Sequence, residues 1–151
     1  MIRLRQASAA CLLALVSACA SSSWQSVPQP ALEAPIAADT CRVVLVREGK
    51  LIGRVREVRV YDSEVQIGAL GENHYLCWDR PAARGMGRLV FSGYELDGGP
   101  VENVFDLPRE AGTTTWFAIR LRGDDRKPMV EAVPPDEGRA LVADRKPATP
   151  R

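Results

Sequence analysis

From Cys41 to Val133 the chain is cut by turn-forming residues into short apolar runs, and this punctuation restricts the fold more than any other feature. The runs are Cys41 to Arg47, Val55 to Tyr61, Val65 to Leu70, Asn73 to Trp78, Leu89 to Tyr94, Val101 to Leu107, Thr113 to Arg122 and Met129 to Val133. Bounded by turn residues and spaced in this way, each reads as a strand. Asp62-Ser63-Glu64 reads as a hairpin turn, Gly71-Glu72 as a second turn, and Asp97-Gly98-Gly99-Pro100 and Gly123-Asp124-Asp125 as two more. Val43-Val44-Leu45-Val46 is apolar on both faces and predicts a central strand, whereas Phe117, Ile119 and Leu121 alternate with Ala118, Arg120 and Arg122 as in an amphipathic one. Only Asp136 to Asp144 suits a helical turn or two, with Leu141 and Val142 against the edge. The expected fold is all-β: a small antiparallel β-sandwich of seven or eight strands over residues 40–144.

The N-terminus carries a different pattern. Arg3 and Arg5 precede an apolar run from Ala7 to Val16, and Ser17-Ala18 supply small residues before Cys19. This is the layout of an export signal. A run of about ten residues falls short of the ~20 that a spanning helix needs. Val16-Ser17-Ala18-Cys19 resembles the bacterial lipobox, which implies diacylation of the Cys19 thiol and cleavage before it. The alternative is ordinary cleavage near Ala18 or Ala20, which leaves a soluble periplasmic protein. Two or three long acyl chains, at ~0.8 kcal/mol per buried CH₂, anchor a protein durably. Residue 20 is Ala, not the Asp that commonly retains lipoproteins at the inner membrane. The expected location is therefore the outer membrane, facing the periplasm.

Cleavage leaves little charge bias. The chain has 20 Lys plus Arg and 19 Asp plus Glu, and losing Arg3 and Arg5 leaves 18 against 19. A nucleic-acid partner usually leaves a basic footprint, so none is expected. Of four cysteines, Cys11 leaves with the signal and Cys19 is the lipidation residue. Cys41 and Cys77 remain, in an oxidising compartment where two thiols are expected to form a disulfide. Such a bridge contributes ~4 kcal/mol in the chain-entropy view. Ser21-Ser22-Ser23, Pro28, Pro30 and Pro35 make residues 19–39 read as a flexible tether that holds the domain on the order of 25 Å from the lipid. Residues 145–151 read as a disordered tail.

Tyr61-Asp62-Ser63-Glu64-Val65-Gln66-Ile67-Gly68-Ala69-Leu70 resembles the strand-turn-strand unit of small surface β-domains of the PEGA type, with Ser63 where Gly is usual. Met129-Val130-Glu131-Ala132-Val133-Pro134-Pro135-Asp136-Glu137-Gly138 is similar to the ending of a bacterial lipoprotein domain family of unknown function, in which a first strand ending in Arg, as Leu45-Val46-Arg47 does, comes earlier. The Pro-Gly-x-His turn of that family is missing near Asp79 to Ala83. The resemblance implies a sandwich and no catalytic residues.

Few residues suggest chemistry. His74 is the only histidine; alternation puts it on the face of Leu76 and Trp78, half-buried and hydrogen-bonded. Phe91-Ser92-Gly93-Tyr94 lacks the frame of a nucleophile elbow, and Asp124-Asp125 sits in a turn where carboxylates serve local structure. No cofactor or metal motif is present. Arg80, Arg84 and Arg88 follow Cys77 closely and make a candidate anion-binding group, since guanidinium pairs well with phosphate or carboxylate. The expected function is a membrane-anchored, non-catalytic module that contacts an envelope protein or glycan. The alternatives are an accessory subunit of an envelope complex and a hydrolase with a carboxylate site.

Overall fold

The computed structural model of the chain describes residues 27–48, 57–96, 99–122 and 127–148. Residues 1–26, with the expected export signal and Cys19, lie outside the described residues, as do Val55, Asp97-Gly98, Gly123 to Asp125 and residues 149–151. Among the described residues nine strands and one helix follow in order: β1 Thr40–Arg47, β2 Glu57–Asp62, β3 Val65–Leu70, β4 His74–Pro81, β5 Met86–Leu96, β6 Gly99–Asp106, β7 Thr114–Arg122, β8 Lys127–Val133, α1 Pro135–Val142 and β9 Lys146–Pro147. They form a five-stranded sheet, β8-β7-β1-β4-β9, and a four-stranded sheet, β3-β2-β5-β6. The expected all-β sandwich is the observed fold and all eight expected strands are present, but the sheets are not wholly antiparallel as expected: β1 pairs with β7, and β4 with β9, in parallel. No described helix is long and apolar enough to cross a membrane.

The place of β1 follows from its composition. Strand neighbours point to opposite faces, so the unbroken apolar run Val43 to Val46 needs cover on both sides. Val43 and Leu45 enter the inter-sheet core with Val58, Val60, Leu76, Trp78, Leu89, Phe91, Phe117 and Ile119. Val44 and Val46 face the other way and meet Cys77, Trp116, Ala118, Val133 and Val142. That outer cluster is covered by α1, and by Leu32 from the segment preceding β1. The molecule therefore has a third partial layer, which is why β1 is apolar on both faces from Val43 to Val46.

Local turns obey the residues at hand. Ser63 adopts φ 55° in the β2–β3 hairpin and Asn73 φ 57° before β4. The left-handed region at Ser63 is where a glycine would be least strained. One extra residue in β3 opposes β2 near Val60/Tyr61, a bulge that keeps Ile67 in the core.

Three expectations need correction. First, Cys41 and Cys77 are both free and buried. In the antiparallel β1–β4 ladder Cys41 lies opposite Arg80 and Cys77 opposite Val44. The cysteines are offset by three positions, about 10 Å along the strands. An odd offset also puts them on opposite faces of the sheet, Cys41 inward and Cys77 outward. A disulfide needs Cα atoms within about 7 Å and facing Cβ vectors, and this ladder supplies neither.

Second, the described part of the expected tether is bound to the domain. Val27 packs against the inter-sheet core, and Gln29 Nε2 donates to the Ala148 carbonyl at 2.6 Å. Third, the expected tail is docked as far as Ala148. Lys146 and Pro147 pair with His74 and Tyr75, and the Ala148 amide donates to the Tyr75 carbonyl at 2.7 Å. Ala148 joins the inter-sheet core, an apolar burial that holds this short edge strand.

Candidate functional site

The three arginines proposed as an anion-binding group do not converge. Arg80 points between the sheets and is buried; Arg84 is exposed in the loop after β4; Arg88 lies on the outer face of the four-stranded sheet. Arg88 stacks 4.3 Å above the Tyr61 ring centroid and pairs with Glu102 at 3.5 Å. Cross-strand register explains this, since Tyr61 and Val104 flank Arg88 on one face.

Arg80 instead closes one end of the sandwich. Its Nε donates to Asp62 Oδ2 at 2.8 Å, and its Nη1 donates to the carbonyls of Ala83 and Pro108, both at 2.8 Å. Trp78, two residues earlier on the same face, donates its Nε1 to the same carboxylate oxygen at 3.1 Å. Asp62 belongs to the other sheet, so this pair ties the two sheets together. A buried cation needs such pairing. Gly85 permits the close approach, because a Cβ there would run into the Arg80 guanidinium. Cys41 Sγ donates to the Pro108 carbonyl at 3.4 Å in the same cluster.

A second buried guanidinium works on the outer face. Arg42 reaches Asp79, its partner across the β1–β4 ladder, through Nε to Oδ1 at 2.7 Å and Nη2 to Oδ2 at 2.8 Å. This bidentate geometry is the strong form of the pair. Its remaining Nη1 donates to the carbonyls of Ala31, Leu32 and Ala34 at 3.2, 2.9 and 2.7 Å. The hydrogen bond to Asp79 holds the Arg42 pKa above its ordinary value despite desolvation. Arg42 therefore converts the Pro-rich approach to β1 into a fixed strap.

The opposite end of the core receives Arg47, also buried, with Glu72 at 3.8 Å. Desolvation pushes its pKa down, and the charge of Glu72 works against that. On the outer face Arg120 donates to Glu48 and Glu137 and pairs with Glu131 at 3.6 Å. It thus joins β7 to β8, to α1 and to the residue after β1. Hydrogen bonding to Glu48 and then Glu137 raises the Arg120 pKa.

His74 opens β4, half-buried as expected, with Nδ1 2.5 Å from the Glu72 carbonyl. Trp78 and Trp116 lie on opposite sides of the five-stranded sheet, so they line no common pocket. Among the described residues no three His, Cys, Asp or Glu side chains are grouped so as to hold a metal ion. Sequence reasoning missed Arg42, Asp62 and Asp79. The signal for Arg42 was available: a charged residue inside a strand apolar on both faces requires a dedicated partner. Comparison with protein-family models, with curated proteins and with solved structures finds no match to this chain.

Proposed function

We propose that this chain is a lipid-anchored module of a bacterial envelope, exported by residues 1–18 and acylated on Cys19, whose sandwich serves binding and not catalysis. The observation that carries the reading is the junction Val16-Ser17-Ala18-Cys19 behind a basic start and a ten-residue apolar run. Only a thiol at that position accepts the diacylglycerol, and small residues beside the bond suit its peptidase. Ala20 favours release to the outer membrane over retention at the inner one. The use of Arg42 and Arg80 as internal ties supports a rigid presenting body, with ligand contact on the outer faces of the sheets. The class of partner is an envelope protein or glycan.

The test is fractionation of cells that express the full chain or Cys19→Ala. The wild-type protein is expected in the membrane fraction, released by detergent and not by salt. The Cys19→Ala protein is expected as uncleaved precursor or as soluble material. Equal membrane association of both would refute acyl anchoring. Crosslinking in whole envelopes then addresses binding: a discrete partner absent from a lipid-only control supports the module reading, and its absence counts against it.

A further inference from the structure

We infer that the strap clamped by Arg42 keeps the edge where β8 and β6 meet off the lipid surface and turns the β9 edge toward it, an inference that rests on anchoring at Cys19. The strap leaves β1 at Thr40, is gripped at Ala31, Leu32 and Ala34 by Arg42, and packs Leu32 onto the outer cluster. It then runs to the outermost strand of the five-stranded sheet, where Gln29 bonds to Ala148, while Val27 packs on the core cluster that Ala148 joins. The point from which the chain departs toward Cys19 is thus set on the β9 side.

Geometry turns this fixed exit into an orientation. From Val27 back to Cys19 the chain has eight steps, which span at most ~29 Å when fully extended. A body of roughly 120 residues has a radius of gyration of about 14 Å and measures ~36 Å across. With the opposite side on the bilayer, where β6 and β8 meet, the exit would stand ~36 Å above the surface, beyond the reach of those steps. Were the strap free as far as Thr40, twenty-one steps would reach ~75 Å and every orientation would be open. The clamp therefore removes the arrangement in which the β8/β6 edge lies beneath the body on the lipid, and leaves that edge free for a partner. Lys146 and Arg145 on the lipid-facing edge, against Asp144, suit an anionic surface.

The experiment places a clickable azido amino acid at Lys146 on β9, Val104 on β6 or Met129 on β8, all exposed, and attaches a dye. The mature chain is held through Cys19 on phosphatidylethanolamine/phosphatidylglycerol vesicles with headgroup quenchers, either by its own acyl chains or, if mass spectrometry finds none, by coupling the Cys19 thiol to a maleimide lipid. Lack of acylation would thus fail the anchoring reading while the orientation is still measured. Quenching several-fold stronger at 146 than at 104 and 129 is expected. Leu32→Asp, which leaves Arg42 and Asp79 in place, and an insertion of about fourteen Gly/Ser residues after Ser26 should each level the three positions. Equal quenching in the unaltered chain would overturn the inference, as would a β9 preference that persists with the insertion.

Discussion

Arg80 and Asp62 join the two sheets: the guanidinium of a β4 residue meets the carboxylate of a β2 residue at 2.8 Å, with side chains only 6% and 13% exposed. Removing one partner of such a pair strands the other charge. Asp62→Ala is expected to cost about 3–5 kcal/mol, because Arg80 loses its counter-charge and Trp78 its acceptor. Adding Arg80→Met to that variant should recover part of the loss. Urea unfolding of the three variants measures both effects; a double mutant no better than Asp62→Ala would contradict the pairing.

The cysteines give an outcome opposite to that expected from the compartment alone. With Cys41 and Cys77 on opposite faces of the sheet, native protein should resist thiol reagents and denatured protein should reveal both thiols. A reducing agent should leave the urea midpoint unchanged. Cys41→Ala and Cys77→Ala should add, since the two sites share no contact cluster. A midpoint that falls on reduction would restore the bridge.

Burial pushes the Cys77 thiol up to about 11, above its ordinary value near 9. A folded-state pKa above the unfolded one favours the protonated form in the fold. The contribution is fully present below the unfolded value and is lost as pH rises from about 9 through about 11. The loss is on the order of 2–3 kcal/mol. Unfolding free energy measured across that window should fall more steeply for the native chain than for Cys77→Ala. Parallel slopes would show that the thiol is not buried against ionisation.

Gly138 sits inside α1 against the Trp116 ring, where an added Cβ would lie 2.5–2.6 Å from three ring atoms. Helix propensity alone favours Gly138→Ala by roughly 1 kcal/mol. Packing reverses the sign here, since α1 would have to lift from the sheet. A destabilisation of about 1–3 kcal/mol is expected, with a change in tryptophan emission. A stabilised Gly138→Ala protein would show that α1 does not rest on Trp116.

Strand existence was legible because period and turn residues act locally: Val65 to Leu70 is a strand at the expected bounds, and Val43 to Val46 lies at the centre of its sheet. What escaped depends on register. Neither the parallel pairing of β1 with β7 nor the opposite facing of Cys41 and Cys77 can be read before the ladder is known. The strap and β9 were misread for a related reason. Pro28, Pro30 and Pro35 exclude helix and regular strand but not an irregular segment, and this one is fixed by the carbonyls that Arg42 collects. The arginine group failed likewise, because Arg80 and Arg88 occupy different faces of different sheets.

Whether a thioether-linked lipid replaces the thiol proton of Cys19 is answered most directly by mass spectrometry of the N-terminal peptide from protein purified out of membranes. The account predicts a peptide that begins at Cys19 and carries the mass of the added acyl chains. A peptide that begins before Cys19, or one with an unmodified cysteine, would contradict it.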